Sequence, residues 1–403
     1  MQSEELSQSQ LEDLWTHHHA QWRDPAQVMV HWNKAGTVNP QLLQHRSEGL
    51  WWDILEYFNI TLLVTREYEH LVLGIQVQSG KPCLSYISLP HPSGLAVNRQ
   101  RNIVHIASTR NPNQVYDFMS VVDVLPRQDI SVEIASFENK PLIPVSSHFF
   151  PGCLYMHDLV IMDNQLYANI VGHNAIARLD QNGQFERVWW PKCIEIDQIP
   201  VFSQNHIQLN SIAANKDIES SYFSASSDKI SALRPGHPDF PVDKQGVIFS
   251  GATREVIARG LTRPHSTRLH QHQIWVDNSG YGEFGFVEDG KFIVVTPLPG
   301  WTRGLCFYKH IAFVGTSQVI PRFRQYAPGL DVNSSLCGLH AVDTESGNIL
   351  GSLLFPHGNQ IFAIEWVNAE FTSGFPFQTA MGGELELSQK LFYAFSTRKI
   401  RNG

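Results

Sequence analysis

His157 and His265 each open a short apolar run, HDLVI and HSTRL, and each run is followed by a second strand-like segment, QLYANIV and QIWVDNS. Four further stretches have the same form. SGLAV from Ser93 precedes NIVHIAS, NSIAA from Asn210 precedes SYFSAS, RGLCF from Arg303 precedes HIAFVGTS, and a weaker IFAIEWV from Ile361 precedes LFYAFS. The opening residues are the ones with chemistry to offer. A neutral imidazole is a common ligand for zinc, iron and copper, and its proton affinity near working pH also suits it to general base catalysis. Asn210 adds an oxygen donor. Arg303 stays charged and presents a planar fork of N–H groups that matches a carboxylate or a phosphate.

Residues so far apart meet only if the elements carrying them repeat around a common centre. The anchors at 93, 157, 210, 265, 303 and 361 are separated by 64, 53, 55, 38 and 58 residues, a drifting period that marks an array of similar supersecondary units. The shortest unit, from His265 to Thr302, contains HSTRL, QIWVDN, GEFGFVED and KFIVVTP, four strands joined by tight turns. Four antiparallel strands per repeat make a propeller blade. The expected fold is therefore an all-β, six-bladed β-propeller, with seven blades as the alternative if the early strands form a unit of their own. Open terminal blades would expose unpaired edges, so strands from residues 60–88 and from the sparse last unit at 361–398 are expected to share one composite blade.

In such a ring the first strand of each blade lines the axis and its opening residue lies at the mouth. This places His157, His265 and Arg303 as candidate catalytic residues, with Asn210, Ser93, Tyr281 and Trp301 as ligand contacts. Arg110, His173 and Asn174 join the rim from loops on the same face. His157 and His265 are also the pair for a divalent metal ion, the cofactor that these residue types suggest. Asp158 and Ser266 follow them and, because strand residues alternate in direction, are expected to brace neighbouring strands. The structural alternative for Arg303 is an ion pair with Glu365 or Asp158.

The whole composition narrows the partners. The 403 residues carry a formal charge of −8, which argues against nucleic acid. Hydrophobic residues make up 42% and charged residues only 17%, so a large core is expected and long solvated helices are not. No apolar run reaches the roughly 18 residues of a membrane span, and the start MQSEELSQSQ is polar and acidic, unlike a secretory signal. Five scattered cysteines, Cys83, Cys153, Cys193, Cys306 and Cys337, include no CxxC and read as reduced core thiols of a cytoplasmic protein. Residues 1–58 read as a helical, aromatic extension holding Trp15, Trp22, Trp32, Trp51 and Trp52, ahead of a propeller over 59–403. Its His17, His18 and His19 point three ways on a helix and read as solvated surface. The stretches 120–153 and 317–336 read as insertions. Gly280, Gly282 and Gly285 match GxGxxG but fall in a turn between strands, and His270 with His272 spans another tight turn, so neither is a cofactor motif.

The segments HDL at 157–159, LNSIA at 209–213, GLTRPHSTRLHQHQIWVDNSGYGEFG at 260–285 and PGWTRGLCF at 299–307 resemble the repeated signatures of an uncharacterised bacterial family. That family is related to NHL-repeat propellers and occurs alone or attached to tetratricopeptide repeats. The resemblance runs from about residue 55 to 370. It implies the propeller and the importance of His157, Asp158, Asn210, His265, Ser266 and Arg303. No established activity comes with it. The chain departs from the pattern at Gln208, where histidine is usual, and at Gln360 and Ala363, where acidic residues are usual. The broader six-bladed superfamily includes lactonases and lyases with histidine or metal centres, so hydrolase or lyase chemistry on a small polar or anionic substrate is the leading expectation, by analogy of fold. The alternative is a noncatalytic scaffold that presents its rim to a protein or peptide.

Overall fold

The computed structural model describes Ser9 and residues 36–110, 113–125, 140–233, 235–378 and 394–399. Six sheets of four or five antiparallel strands follow one another along the chain. Blade 1 comprises Pro92–Asn98, Ile103–Ser108, Asn113–Ser120 and Leu142–Phe150, and blade 2 comprises Met156–Met162, Gln165–Ile170, Ala175–Leu179 and Phe185–Trp189. Blade 3 is built from Leu209–Ala213, Tyr222–Ala225, Gly246–Ser250 and Val256–Leu261; blade 4 from Pro264–His270, Gln273–Asn278, Glu283–Glu288 and Lys291–Pro297. Trp301–Tyr308, Ile311–Ser317, Gly338–Asp343 and Ile349–Leu354 form blade 5. In blade 6 the strand Ala363–Asn368 pairs with Ile60–Arg66, which is followed by Leu71–Gln78 and Lys81–Ser88.

The first strands touch in the cyclic order of blades 1, 2, 3, 4, 5, 6 and back to 1, which closes the ring with six blades and excludes seven. Blade 6 is the composite of both chain ends that the edge argument requires. Its C-terminal contribution is Ala363–Asn368 at the axis and the short Phe377–Gln378 on the outer edge, paired with Lys81–Ser88. Phe395–Ser396, expected to belong to that unit, instead pairs with Asp123–Val124 outside the six blades. The stretch 120–153 is likewise not all insertion, because Leu142–Phe150 is the fourth strand of blade 1.

The sequence takes this form because Val, Ile, Phe and Tyr recur on pleated runs that end in tight two-residue turns. Asp289-Gly290 and Gln271-His272 both hold the positive φ values such hairpins need. Apolar side chains then fill the seams between blades. Leu95, Val97 and Ile106 pack with blades 5 and 6, Ala177 and Leu159 with blade 1, Phe223 and Phe249 with Trp189 of blade 2, and Trp275 and Phe284 with Leu305 and Val314 of blade 5. Each such side chain, fully buried, contributes on the order of 1.5–3 kcal/mol.

The helix Trp51–Phe58 and the strand Arg46–Gly49 lie on the outside of this ring. That strand adds a fifth member to blade 5 through Ile349–Leu354. Trp51 is fully buried edge-on to Phe313 at 6.0 Å. Trp15, Trp22, Trp32 and the histidines 17–19 of the expected helical extension lie outside the described residues. No described helix is long and apolar enough to cross a membrane. Cys306 and Cys337 are buried thiols as expected, whereas Cys153 is exposed.

Candidate functional site at the mouth of the ring

Each first strand of blades 1 to 5 carries one surplus residue near its start. In blade 2 the register moves from Met156 opposite Ile170 to Leu159 opposite Ala168, three residues against two. The same slip falls between Pro92 and Leu95, His265 and Arg268, and Thr302 and Leu305, while blade 3 slips between Leu209 and Ser211. A bulge bends its strand and re-aims side chains. Here it recurs where Ser93, His157, Asn210, Ser266 and Arg303 stand, so the feature that unites the site residues is a backbone device repeated five times.

Around the axis the bulges bring several of these groups together. Phe362, just before the first strand of blade 6, is the hub: Arg303 from blade 5 lies over its face at 3.3 Å from the ring centroid. His157 from blade 2 meets the same ring edge-on at 5.5 Å. His265 from blade 4 stands edge-on to Trp301 at 5.6 Å. Its Nδ1 lies 2.7 Å from the Arg263 carbonyl, which only accepts, so the proton sits on Nδ1 and the lone pair on Nε2. Asn210 donates its amide hydrogens to Ser226 Oγ at 3.1 Å and to the Pro264 carbonyl at 2.9 Å, and its buried Oδ1 has no hydrogen-bond partner.

Three arginines, Arg303, Arg263 and Arg110, act on the two histidines. Arg303 forms no ion pair or hydrogen bond with a described residue. Its alternative partners are engaged elsewhere: Asp158 holds Arg268 with both oxygens, at 2.7 and 3.1 Å, and Glu365 pairs with Arg99. Arg263, from the turn before blade 4, is 6% exposed, stacks over Tyr326 at 4.3 Å, and leaves Nε and Nη1 without partners. Arg110 is paired with Glu67. Burial lowers the proton affinity of Arg303 to about 10, with Glu67 and Tyr68 opposing the shift. Burial, then the charges of Arg303, Arg110 and Arg263, hold His157 well below its ordinary 6.5. Burial with Arg303, Arg263 and His157 does the same to His265. Both imidazoles are neutral at pH 7.

This donor set does not suit a metal ion. Guanidinium charges surround the histidines, and no group of three or more His, Cys, Asp or Glu able to hold a metal occurs among the described residues. The other expected contacts divide. Trp301 packs into the site with its buried Nε1 unpartnered. Ser93 donates to the Ala107 and Met156 carbonyls and holds backbone together. Tyr281 gives its hydroxyl to Asp243, His173 meets Arg187, and Asn174 caps the His206 and Ile207 amides. Asp158 accepts from the Ile212 amide and Ser266 from the Gly304 amide, each bracing the next blade. Nothing in the sequence pattern marks Glu67 or Tyr326, whereas Phe362 adjoins the anchor Ile361 and Arg263 is the arginine of the TRPHS segment.

A family model described as a domain of unknown function (DUF4915) matches residues 50–373. No curated protein matches the chain. Among solved structures, it is similar to a chain of a nidogen/laminin complex, at 9% identity over 77% of this chain and 99% of that one with a TM-score of 0.49. A Bacteroides caccae protein of unknown function matches at 10% identity over 77% and 99%, TM-score 0.49. A Xanthomonas campestris gluconolactonase matches at 12% identity over 74% and 86%, TM-score 0.42. At these identities and scores the likenesses do not bear on the chemistry of the site.

Proposed function

The chain belongs to the DUF4915 family, and from the site geometry we propose that it binds a small organic anion at the mouth of the propeller and removes a proton from it. One observation carries this reading. Arg303 and Arg263 are buried guanidinium groups with no carboxylate partner among the described residues, and they stand beside two neutral imidazoles. Unpaired buried charge is unfavourable until a counter-charge arrives.

Burial is the first cause that holds His265 down and the charges of Arg303 and Arg263 come next; a bound anion offsets those charges, so the proton affinity of His265 rises on binding and ligand arrival itself prepares the base. His265 Nε2 takes a proton from a hydroxyl or C–H next to the acid group. Arg303 stabilises the negative charge left on the substrate. Hydrolase and lyase reactions both contain such a step. A cytoplasmic setting fits Cys193 and Cys337, whose thiols burial pushes up to about 12 and so keeps from reacting.

Calorimetric titration with small carboxylates and phosphate tests the proposal. Arg303→Gln should weaken binding about tenfold or more, the weight of a charged hydrogen bond. His265→Gln should bind the same anion while taking up fewer protons at pH 6. Unchanged affinity in both Arg303→Gln and Arg263→Gln would move the ligand elsewhere and end the proposal.

A further inference from the structure

We infer that the ligand is a hydroxylated dianion, two acid groups or one phosphate for Arg263 and Arg303 together with at least one hydroxyl for Asn210 and His265; this rests on the anion-binding reading above. The charge count comes first. Glu67 is committed to Arg110 and to the Thr109 hydroxyl, and burial holds Asp277, a fully buried carboxyl that also feels Arg303, well above its ordinary range and so protonated, which leaves the charges of Arg263 and Arg303 without a counter-ion. A monoanion would leave one buried guanidinium uncompensated.

Shape comes next. The face of Arg303 is covered by Phe362 and that of Arg263 by Tyr326. One face of each guanidinium is thus taken, and the in-plane N–H edge is the part that recognises an oxyanion in bidentate fashion. The acceptors complete the specification. Asn210 cannot flip, because both its amide hydrogens are in use, so its buried Oδ1 is fixed as an acceptor; it lies near His157, which feels it, but has no donor at hydrogen-bond distance and is open to one from a ligand. His265 Nε2 is an acceptor for the same kind of reason, its proton being fixed on Nδ1. An ionised acid offers no donor, and an ammonium group would be repelled by the two guanidinium charges. A neutral hydroxyl meets the requirement.

A series built on one dicarboxylate isolates each part. Succinate, malate and tartrate carry zero, one and two hydroxyls on the same dicarboxylate; aspartate replaces the hydroxyl by ammonium, and lactate removes one acid. Titrated calorimetrically into the full chain, affinity should rise about three- to tenfold from succinate to malate and again to tartrate. Aspartate should bind no better than succinate, and lactate should bind more weakly than malate. Glycerol phosphate tighter than tartrate would assign the dianion to a phosphate ester, whereas the reverse order would assign it to a dicarboxylate. Equal affinities for succinate, malate and tartrate would overturn the hydroxyl requirement and leave the anion site standing. Lactate as tight as malate would overturn the dianion. Binding of none of these probes would remove both the inference and the reading beneath it.

Discussion

Arg303 illustrates how a single side chain can be set for capture. With its face on Phe362 and its edge unpaired, burial brings its proton affinity down to about 10, still three units above neutral pH. It is therefore charged throughout the range in which a dicarboxylate is also charged. Affinity for such a ligand should be flat from pH 7 to 9 and fall as the pH passes about 10, where the guanidinium loses its proton; calorimetry across that range reads it directly. His340 shows the opposite use of an imidazole. It is 2% exposed, bonded through Nε2 to Thr316 Oγ1 and through Nδ1 to Ser352 Oγ, and burial lowers its proton affinity to about 4. Its folded value lies below the unfolded ~6.5, so the unfolded chain binds the extra proton and stability declines as pH falls from about 6.5 to 4, by about 3 kcal/mol in all. His340→Gln should be less stable at pH 7 yet lose less between pH 7 and 4 than the parent, as measured by urea unfolding at each pH. His340 has no position in the repeat that distinguishes it. His157 and His265 could be singled out in the sequence because each opens an apolar run, while a histidine inside a third strand looks like any other polar residue facing a seam.

At the scale of strands, the repeat was legible where apolar runs recur, and illegible where the backbone departs from alternation. A bulge adds one residue without changing composition, so no periodicity announces it, yet it decides which way His157 and Arg303 turn. Gly304 sits inside one of these bulges at φ +88°, and an added Cβ would meet Ile364 at 3.0 Å and Ile361 at 3.2 Å. Gly304→Ala should therefore destabilise by about 1–3 kcal/mol and weaken anion binding by displacing the adjacent Arg303, both readable from one set of thermal and calorimetric titrations. The fourth strand of blade 1 was missed for a different reason. LIPVSSHFF lacks a clean alternation because its polar residues answer another strand: Ser146 and His148 both bond to Asp117 Oδ2, at 2.7 and 3.0 Å, and His105 meets Oδ1 at 2.6 Å. Burial alone would raise the proton affinity of Asp117, but the hydrogen bonds of His105 and Ser146, then the charge of His105 and the bond to His148, lower it overall. A depressed carboxylate stabilises the fold above its unfolded value and ceases to do so as pH falls through its folded one. Asp117→Ala should thus destabilise blade 1 at neutral pH, with the difference from the parent closing below about pH 4.

The ring as a whole depends on how its two ends meet, and the sequence pointed to that meeting through its surplus early strands. What no pattern could show is the fastening. Thr65 accepts from the Ala363 amide and donates to the Ser93 carbonyl, tying the first strand of blade 6 to the start of blade 1. Ahead of it, Arg66 and Glu69 form a fully buried pair at 3.0 Å, and Glu69 Oε1 also accepts the amides of Asn359 and Gln360 at 2.6 and 3.2 Å as the chain returns to the axis. The other guanidinium arm donates to the Leu42 carbonyl, so the same pair anchors the N-terminal wrap. Removing one charge from such a pair leaves the other buried and uncompensated, which costs about 3–5 kcal/mol, whereas replacing both by apolar groups is often close to neutral. Glu69→Gln should therefore lower stability by that amount, and the double change Arg66→Met with Glu69→Leu should restore a part of it. If the pair acts as the clasp of the ring, urea unfolding of Glu69→Gln followed by tryptophan fluorescence should stay a single transition shifted to lower denaturant, because a propeller with an open seam has no stable intermediate to populate. A second, earlier transition would show instead that blade 6 detaches on its own, and would place the closure of the ring in Thr65 and its neighbours alone.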